Sequence, residues 1–171
     1  LPNKARDGKE LEIRPCMACN QGCLANTFFD RPITCLVNGR IGRELEYPVT
    51  ITDDPKRILV IGGGPAGCEA AYRAAEKGHS VTLMEQSDAL GGQLRQVERL
   101  PARQEFSELI RFYEYNLPRL GVQVLLNTRG DAETAAGYDR VIVATGGTPN
   151  ETALPVTPGS VPVYTARKII D

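Results

Sequence analysis

Residues Gly62-Gly63-Gly64-Pro65-Ala66-Gly67 constrain this chain more than any other six. They fit the pattern G-x-G-x-x-G, and their setting matters as much as their spacing. The run before them, Arg57 to Ile61, is short and apolar and reads as a buried parallel strand. The run after them, Pro65 to Lys77, is Ala-rich and helical, with Pro65 suited to the first turn and Gly78 placed to end it. In that setting Gly62 permits a tight turn, Gly64 lets a pyrophosphate approach the backbone, and Gly67 lets helix and strand pack closely. The helix start offers unsatisfied N–H groups and the positive end of its dipole to an anion. The bland alternative is a glycine-rich turn with no ligand.

The alternation continues. Ser80 to Glu85 is a second strand, and Glu85 lies 18 residues beyond Gly67 at its end. A carboxylate there accepts from ribose hydroxyls and disfavours a 2′-phosphate; otherwise it is a surface Glu. Gln104 to Leu120 keeps 3–4 spacing through Phe106, Leu109, Ile110, Tyr113, Leu117 and Leu120, an amphipathic helix whose last turn Pro118 should distort. Val122 to Leu126 and Val141 to Ala144 are further strands, and the proline-bearing stretch from Thr148 to Val163 reads as a connector. The fold class expected is α/β: a partial Rossmann-like dinucleotide-binding domain with a parallel sheet. The fingerprint serves NAD and FAD alike. Gly91-Gly92-Gln93 and Ala144-Thr145-Gly146-Gly147 follow strands where backbone can approach a ligand, which leans toward a flavin nucleotide, although each is also readable as a plain turn.

Ahead of this domain lies a segment of different character. From Arg14 to Pro48 it is rich in Gly, Pro, Asn and Cys with little periodicity, so apolar burial alone should not hold it. Four of the chain's five cysteines fall here, as Cys16-x2-Cys19-x3-Cys23-x11-Cys35. Four thiolates suit zinc or an iron–sulfur cluster. Zinc ribbons usually pair two C-x2-C knuckles, whereas here three cysteines crowd together and the fourth arrives from afar. The spacing therefore favours iron–sulfur over zinc, with two disulfides a third reading. Arg14, Arg31, Arg40 and Arg43 flank the cysteines, either offsetting the charge of a four-thiolate cluster or forming a solvated basic surface. A cluster beside a flavin-type site makes electron transfer the economical function. A structural zinc module on a NAD-binding domain is the rival of a different class.

Composition narrows the field further. Hydrophobic residues make up 42% and charged residues 24%, a globular balance, and 20 basic against 21 acidic side chains argue against a nucleic-acid binder working by bulk charge. No apolar run is long enough to span a membrane. The cysteine use points to a reducing compartment, the cytoplasm. The start at Leu1 has no initiator Met and reads as the middle of a longer chain or a processed product.

Arg14-Pro-Cys-Met-Ala-Cys-Asn-Gln-Gly-Cys23, Ile33-Thr-Cys-Leu-Val-Asn38, Gly42-Arg-Glu44 and Leu59-Val-Ile-Gly-Gly-Gly-Pro-Ala-Gly67 together resemble the part after the FMN barrel in the 2,4-dienoyl-CoA reductase and trimethylamine dehydrogenase family, multi-domain relatives of Old Yellow Enzyme. The resemblance covers essentially the whole chain. It implies a 4Fe-4S cluster on Cys16, Cys19, Cys23 and Cys35, and FAD lined by Gly62, Gly64, Ala66, Glu85, Gly92, Gln93, Thr145 and Gly146, with Pro65 and Gly67 completing the glycine motif. It also implies that hydride passes from NAD(P)H to FAD and single electrons pass through the cluster to FMN. In the dehydrogenase branch electrons leave FMN instead, and ADP takes the FAD position. The C-x3-C interval from Cys19 to Cys23 looks more like the reductase branch. Residues 1–54 would then be the cluster segment, 55–160 the first part of the FAD domain, and 161–171 the start of a connection to an NAD(P)H domain. The FMN barrel, the NAD(P)H domain and the later FAD-domain segment are expected on missing domains or partner chains. No catalytic residue is assigned here, and an isolated half FAD domain should expose apolar surface.

Other candidates carry less. His79, the single histidine, sits in a turn with no evident partner for acid–base work. Cys68 reads as a small buried residue, Tyr113 as core, and Asp53-Asp54 as linker.

Overall fold

The computed structural model describes residues 1–148, 162, 164 and 166–170. The elements are α1 (Pro2–Arg6), α2 (Leu24–Thr27), β1 (Arg57–Ile61), α3 (Pro65–Glu76), β2 (Ser80–Met84), α4 (Leu94–Val97), α5 (Glu105–Arg119), β3 (Gln123–Leu125), α6 (Ala132–Ala135), β4 (Arg140–Val143) and α7 (Ala166–Ile170), with a 3-10 turn at Glu10–Glu12. The predicted connector lies outside the described residues apart from Thr148 and Pro162.

The four strands form one parallel sheet in the order β3-β2-β1-β4. The chain thus starts at the centre, walks out to β3 and returns past β1 to β4. In open α/β sheets ligands bind outside the carboxyl ends of the strands at such a reversal. Each strand feeds its helix for simple reasons. β1 is buried along Ile58-Leu59-Val60 and runs straight into the glycine turn. α3 opens with Pro at its first turn, and Gly78, at φ +90, turns the chain out of the helix into β2. α5 carries Glu105 and Glu108 in its first turn and Arg119 in its last, matching its dipole. Pro118 does not cut it short: the helix runs on to Arg119, since in the last turn the lost N–H is the main consequence.

Period-2 alternation sorts the sheet into two faces. Ile58, Val60, Val81 and Leu83 point into the main core, with Cys68, Ala71 and Tyr72 of α3 and Leu109, Phe112, Tyr113 and Leu117 of α5. Leu59, Thr82 and Met84 are buried on the other face. That face thins toward the edge: on β4, Ile142 joins the core while Val143 is 71% exposed. A parallel sheet is normally covered on both faces, whereas the described residues leave an apolar strip of this one open at Val143.

Residues 1–54 hold little regular structure. Met17 and Val37 are its buried apolar residues in the main core, with Cys35 packed alongside. Polar pins do the rest. The Asn116 side chain, fully buried in α5, donates to the carbonyls of Leu11 and Phe112, both at 2.8 Å. Thr52 N–H donates to Lys77 O at the end of α3 (2.9 Å).

Candidate functional site: a dinucleotide cradle beside a cysteine loop

The three glycines of the motif have different jobs. Gly62 sits at φ +111, and a Cβ there would run into the carbonyl of Ala144. A Cβ on Gly67 would run into the carbonyl oxygen of Gly62. These two are demanded by the fold itself, because the obstacle is backbone. Gly64 is the N-cap of α3 at φ −71, and a Cβ there would meet no protein atom within 4 Å. The protein leaves room above Gly64, at the start of a twelve-residue helix whose first-turn N–H groups have no intrahelical acceptor. That cradle fits a dinucleotide's pyrophosphate.

Gly63, the unspecified position of the motif, proves as restricted as its neighbours. A Cβ there would lie 2.7 Å from Leu90 Cδ2 and 3.0 Å from Glu85 Cβ. Its N–H donates to Glu85 Oε2 at 2.6 Å, and Ser87 N–H donates to Glu85 Oε1 at 2.7 Å. Burial would push the Glu85 carboxyl up, but the hydrogen bonds from Ser87 and Gly63 outweigh it and hold the group below its ordinary value. Glu85 is therefore an anion at neutral pH. Each oxygen keeps a lone pair to accept a further donor such as a ribose hydroxyl.

Two more loops close on the cradle, as their sequence positions imply. Gly91 N–H donates to Gly63 O at 2.8 Å, and a Cβ on Gly92 would come within 3.1 Å of Gly64 Cα. Ala144 N–H donates to Ile61 O, and Gly146, at φ +76, turns the chain after β4. Gln93 Nε2 donates to Gly147 O at 3.3 Å and bridges the two loops. Gly62, Gly64, Glu85, Gly92, Gln93, Thr145 and Gly146 thus lie on loops, and Pro65, Ala66 and Gly67 in the first turn of α3, around the carboxyl end of the central strands.

The cysteine loop is built differently. Cys16, Cys19, Cys23 and Cys35 are all free thiols, and none forms a disulfide. Ala18 and Asn20 take left-handed φ of 51° and 56° and curl the chain between the first three. Ala18 N–H donates to Cys16 Sγ at 3.3 Å. Thr34 N–H donates to Gly22 O at 2.9 Å, so Cys23 and Cys35 each follow the same junction by one residue. Among the described residues no three His, Cys, Asp or Glu side chains converge closely enough to hold a metal ion. The four sulfurs share one loop without being gathered. The donor set, four free thiols within twenty residues, fits an iron–sulfur cluster or zinc.

A single arginine fastens this loop to the nucleotide half. Arg14 Nη1 donates to Glu69 Oε2 on α3 (2.7 Å) and to Val37 O (2.7 Å), and lies 3.3 Å from Tyr113 Oη on α5. Its guanidinium sits 4.7 Å from the Phe112 ring centroid and 5.0 Å from that of Tyr72. Tyr113 Oη also donates to Glu69 Oε2 at 2.8 Å, and burial, then the Glu69 charge, pushes this phenol well up so that it stays protonated. Glu69 Oε1 accepts from Arg73 at 2.8 Å. Tyr113, read as core from its spacing, is core and pin at once. Arg14 and Arg43 are already paired with Glu69 and Glu46, so neither is a free counter-charge for the cysteines.

The model of the pyridine nucleotide-disulphide oxidoreductase family matches residues 56–169. The chain belongs to that family. Its relatives sharpen the assignment. A metal reductase of Desulforamulus reducens is 44% identical over 166 residues, covering 93% of this chain and 25% of the relative. The solved structure of a 2-naphthoyl-CoA reductase in complex with 2-naphthoyl-CoA matches with a TM-score of 0.85 at 38% identity, over 89% of this chain and 24% of that one. Histamine dehydrogenase from Rhizobium sp. 4-9 matches with a TM-score of 0.78 at 26% identity, over 88% and 23%. Within the pyridine nucleotide-disulphide oxidoreductases this is the 2,4-dienoyl-CoA reductase and trimethylamine dehydrogenase group, as the cysteine spacing and glycine loop imply. It is a group of flavin oxidoreductases, and this chain carries an oxidoreductase domain of it. The chain spans about a quarter of the length of the relatives it matches. Among the described residues no helix is long and apolar enough to cross a membrane.

Three participants escape sequence reasoning: Gly63, Glu69 and Asn116. Gly63 carried a signal, being a third consecutive glycine where the motif asks for none. Glu69 and Asn116 carried none, because their partners lie 55 and 105 residues away.

Proposed function

We propose that this chain is the electron-transfer part of an iron–sulfur flavoprotein oxidoreductase. Residues 1–54 hold a 4Fe-4S cluster on Cys16, Cys19, Cys23 and Cys35, and residues 55–160 form the first part of an FAD domain. Residues 161–171 lead toward an NAD(P)H-binding domain. FAD lies along Gly62, Gly64, Pro65, Ala66, Gly67, Glu85, Gly92, Gln93, Thr145 and Gly146. Bound there, the two groups supply one- and two-electron chemistry. The chain's own residues bind and orient: the α3 start and the open space above Gly64 take the pyrophosphate, Glu85 takes the ribose, and the cysteine loop takes the cluster. Electrons from NAD(P)H pass through FAD and the cluster to FMN on a barrel domain or subunit, where substrate is reduced. The open strip at Val143 is where the remaining FAD-domain segment packs.

One observation carries the reading. Four free thiols sit on a loop pinned to the same helix, α3, whose first turn forms the nucleotide cradle. The C-x3-C interval supports the reductase branch over an amine-dehydrogenase type with ADP in place of FAD. Anaerobic purification of the natural full-length protein, followed by iron, acid-labile sulfide, zinc and nucleotide analysis on one sample, tests it. The expected result is about four irons and four sulfides for this loop, beside the FMN site's own flavin, with FAD released on extraction. ADP in place of FAD moves the protein to the dehydrogenase branch. Stoichiometric zinc without sulfide overturns the proposal.

A further inference from the structure

We infer that Arg14 and Glu69 are positioning residues: their ion pair holds the cysteine loop at a fixed place on the nucleotide-binding helix. Arg14 lies two residues before Cys16, and Val37 two residues after Cys35, so the two feet of the loop meet at one guanidinium group. That group is bound to a carboxylate five residues along from the N-cap of α3. Whatever fixes α3 at the cradle therefore acts on both ends of the cysteine loop through this contact, beside the burial of Met17 and Val37 in the core.

The contact is built for direction rather than for charge alone. Glu69 receives Arg14, Tyr113 and Arg73, so its carboxylate is held from three sides. Arg14 lies among the Tyr72, Phe112 and Tyr113 rings, a stacked setting that a lysine ammonium on its flexible stem does not reproduce. The alternative role, tuning the cluster by its positive charge, fits the geometry poorly, since Glu69 compensates that charge at 2.7 Å. The inference rests on reading the cysteines as cluster ligands, and its test separates the two.

The test uses the full-length protein and two variants, Glu69→Gln, which keeps the shape and one acceptor, and Arg14→Lys, which keeps the charge. Four quantities are read in each: nucleotide content, melting temperature, the rate at which a chelator strips iron anaerobically, and amide hydrogen exchange across residues 14–37. Nucleotide content should stay at the wild-type level. Iron stripping and exchange in the loop should accelerate about tenfold or more, the expected scale for losing one hydrogen bond to a charged group. Arg14→Lys should be no milder than Glu69→Gln. A lowered melting temperature with stripping and loop exchange unchanged makes the pair a bulk stabiliser and overturns the inference. So does rescue by Arg14→Lys to wild-type rates. If the wild-type protein holds no iron, the reading of the cysteines fails on its own, and the exchange data still decide: acceleration confined to residues 14–37 upholds the clamp, and none refutes it.

Discussion

The nucleotide half and the cysteine half are held together by opposite means. Residues 57–144 fold because apolar side chains recur at strand and helix periods and close into one core between the sheet and α3–α5. Residues 1–54 contribute Met17 and Val37 to that core and are otherwise held by point contacts: Arg14 to Glu69, Asn116 to Leu11, Thr52 to Lys77. The first kind of order is spread over many small dispersion contacts. The second is concentrated in a few polar bonds, each of which matters. On the proposed function, a chain that holds a nucleotide and wraps a loop around a cluster would have reason to use both.

The comparison breaks most severely at Gly67. Gly67→Ala drives a methyl group into the Gly62 carbonyl, a backbone obstacle that cannot swing aside. A cost of about 3 kcal/mol or more is expected, with loss of nucleotide, read by thermal denaturation and nucleotide content. Next comes Asn116→Ala. It strands the Leu11 carbonyl and should cost about 1–3 kcal/mol, while hydrogen exchange rises in residues 1–14 and stays low in β1 and β2.

Gly64→Ala sharpens the contrast from the other side. The protein itself leaves a Cβ there free of contacts at an ordinary φ, so the nucleotide-free fold should melt at the wild-type temperature or slightly above. Nucleotide affinity should fall by about tenfold or more, because only the ligand needs that space. Equal loss of stability and affinity would mean that the cradle is misassigned.

The gentlest expected effect concerns acid. Glu85 has its folded-state value depressed, so its contribution to stability is present above its ordinary value of about 4.3 and is lost as pH falls through the lower folded value. Acid unfolding should therefore weaken in Glu85→Gln relative to wild type. The check is a series of melting temperatures from neutral pH down to about pH 3.

How much of this was legible in the sequence follows the same division. Every strand of the sheet, and both α3 and α5, are foretold by apolar runs and 3–4 spacing, with ends displaced by a residue or two. The glycine role at 67 is legible because its obstacle, the Gly62 carbonyl, belongs to the same motif; at 62 the tight turn is legible, but the obstacle is the carbonyl of Ala144 on a distant strand end. The one-turn helices α4 and α6 are not, since four residues carry no period. Arg14 was legible as a charge near cysteines, but its partner was not: the bond to Glu69 exists only after β1 and α3 have formed and brought the two together. Glu85 was legible as a ribose acceptor and silent about its bonds to Gly63 and Ser87.

The central claim, one chain with two separately built sites, is tested most directly by measuring iron and nucleotide together in Cys23→Ser protein purified without oxygen. The account predicts that iron and sulfide are lost from this loop while nucleotide stays at its wild-type level, because the cradle is built on Gly62, Gly63, Ser87, Leu90 and Ala144, outside the cysteine loop. Iron retained in full would remove Cys23 from the ligand set and contradict the assignment.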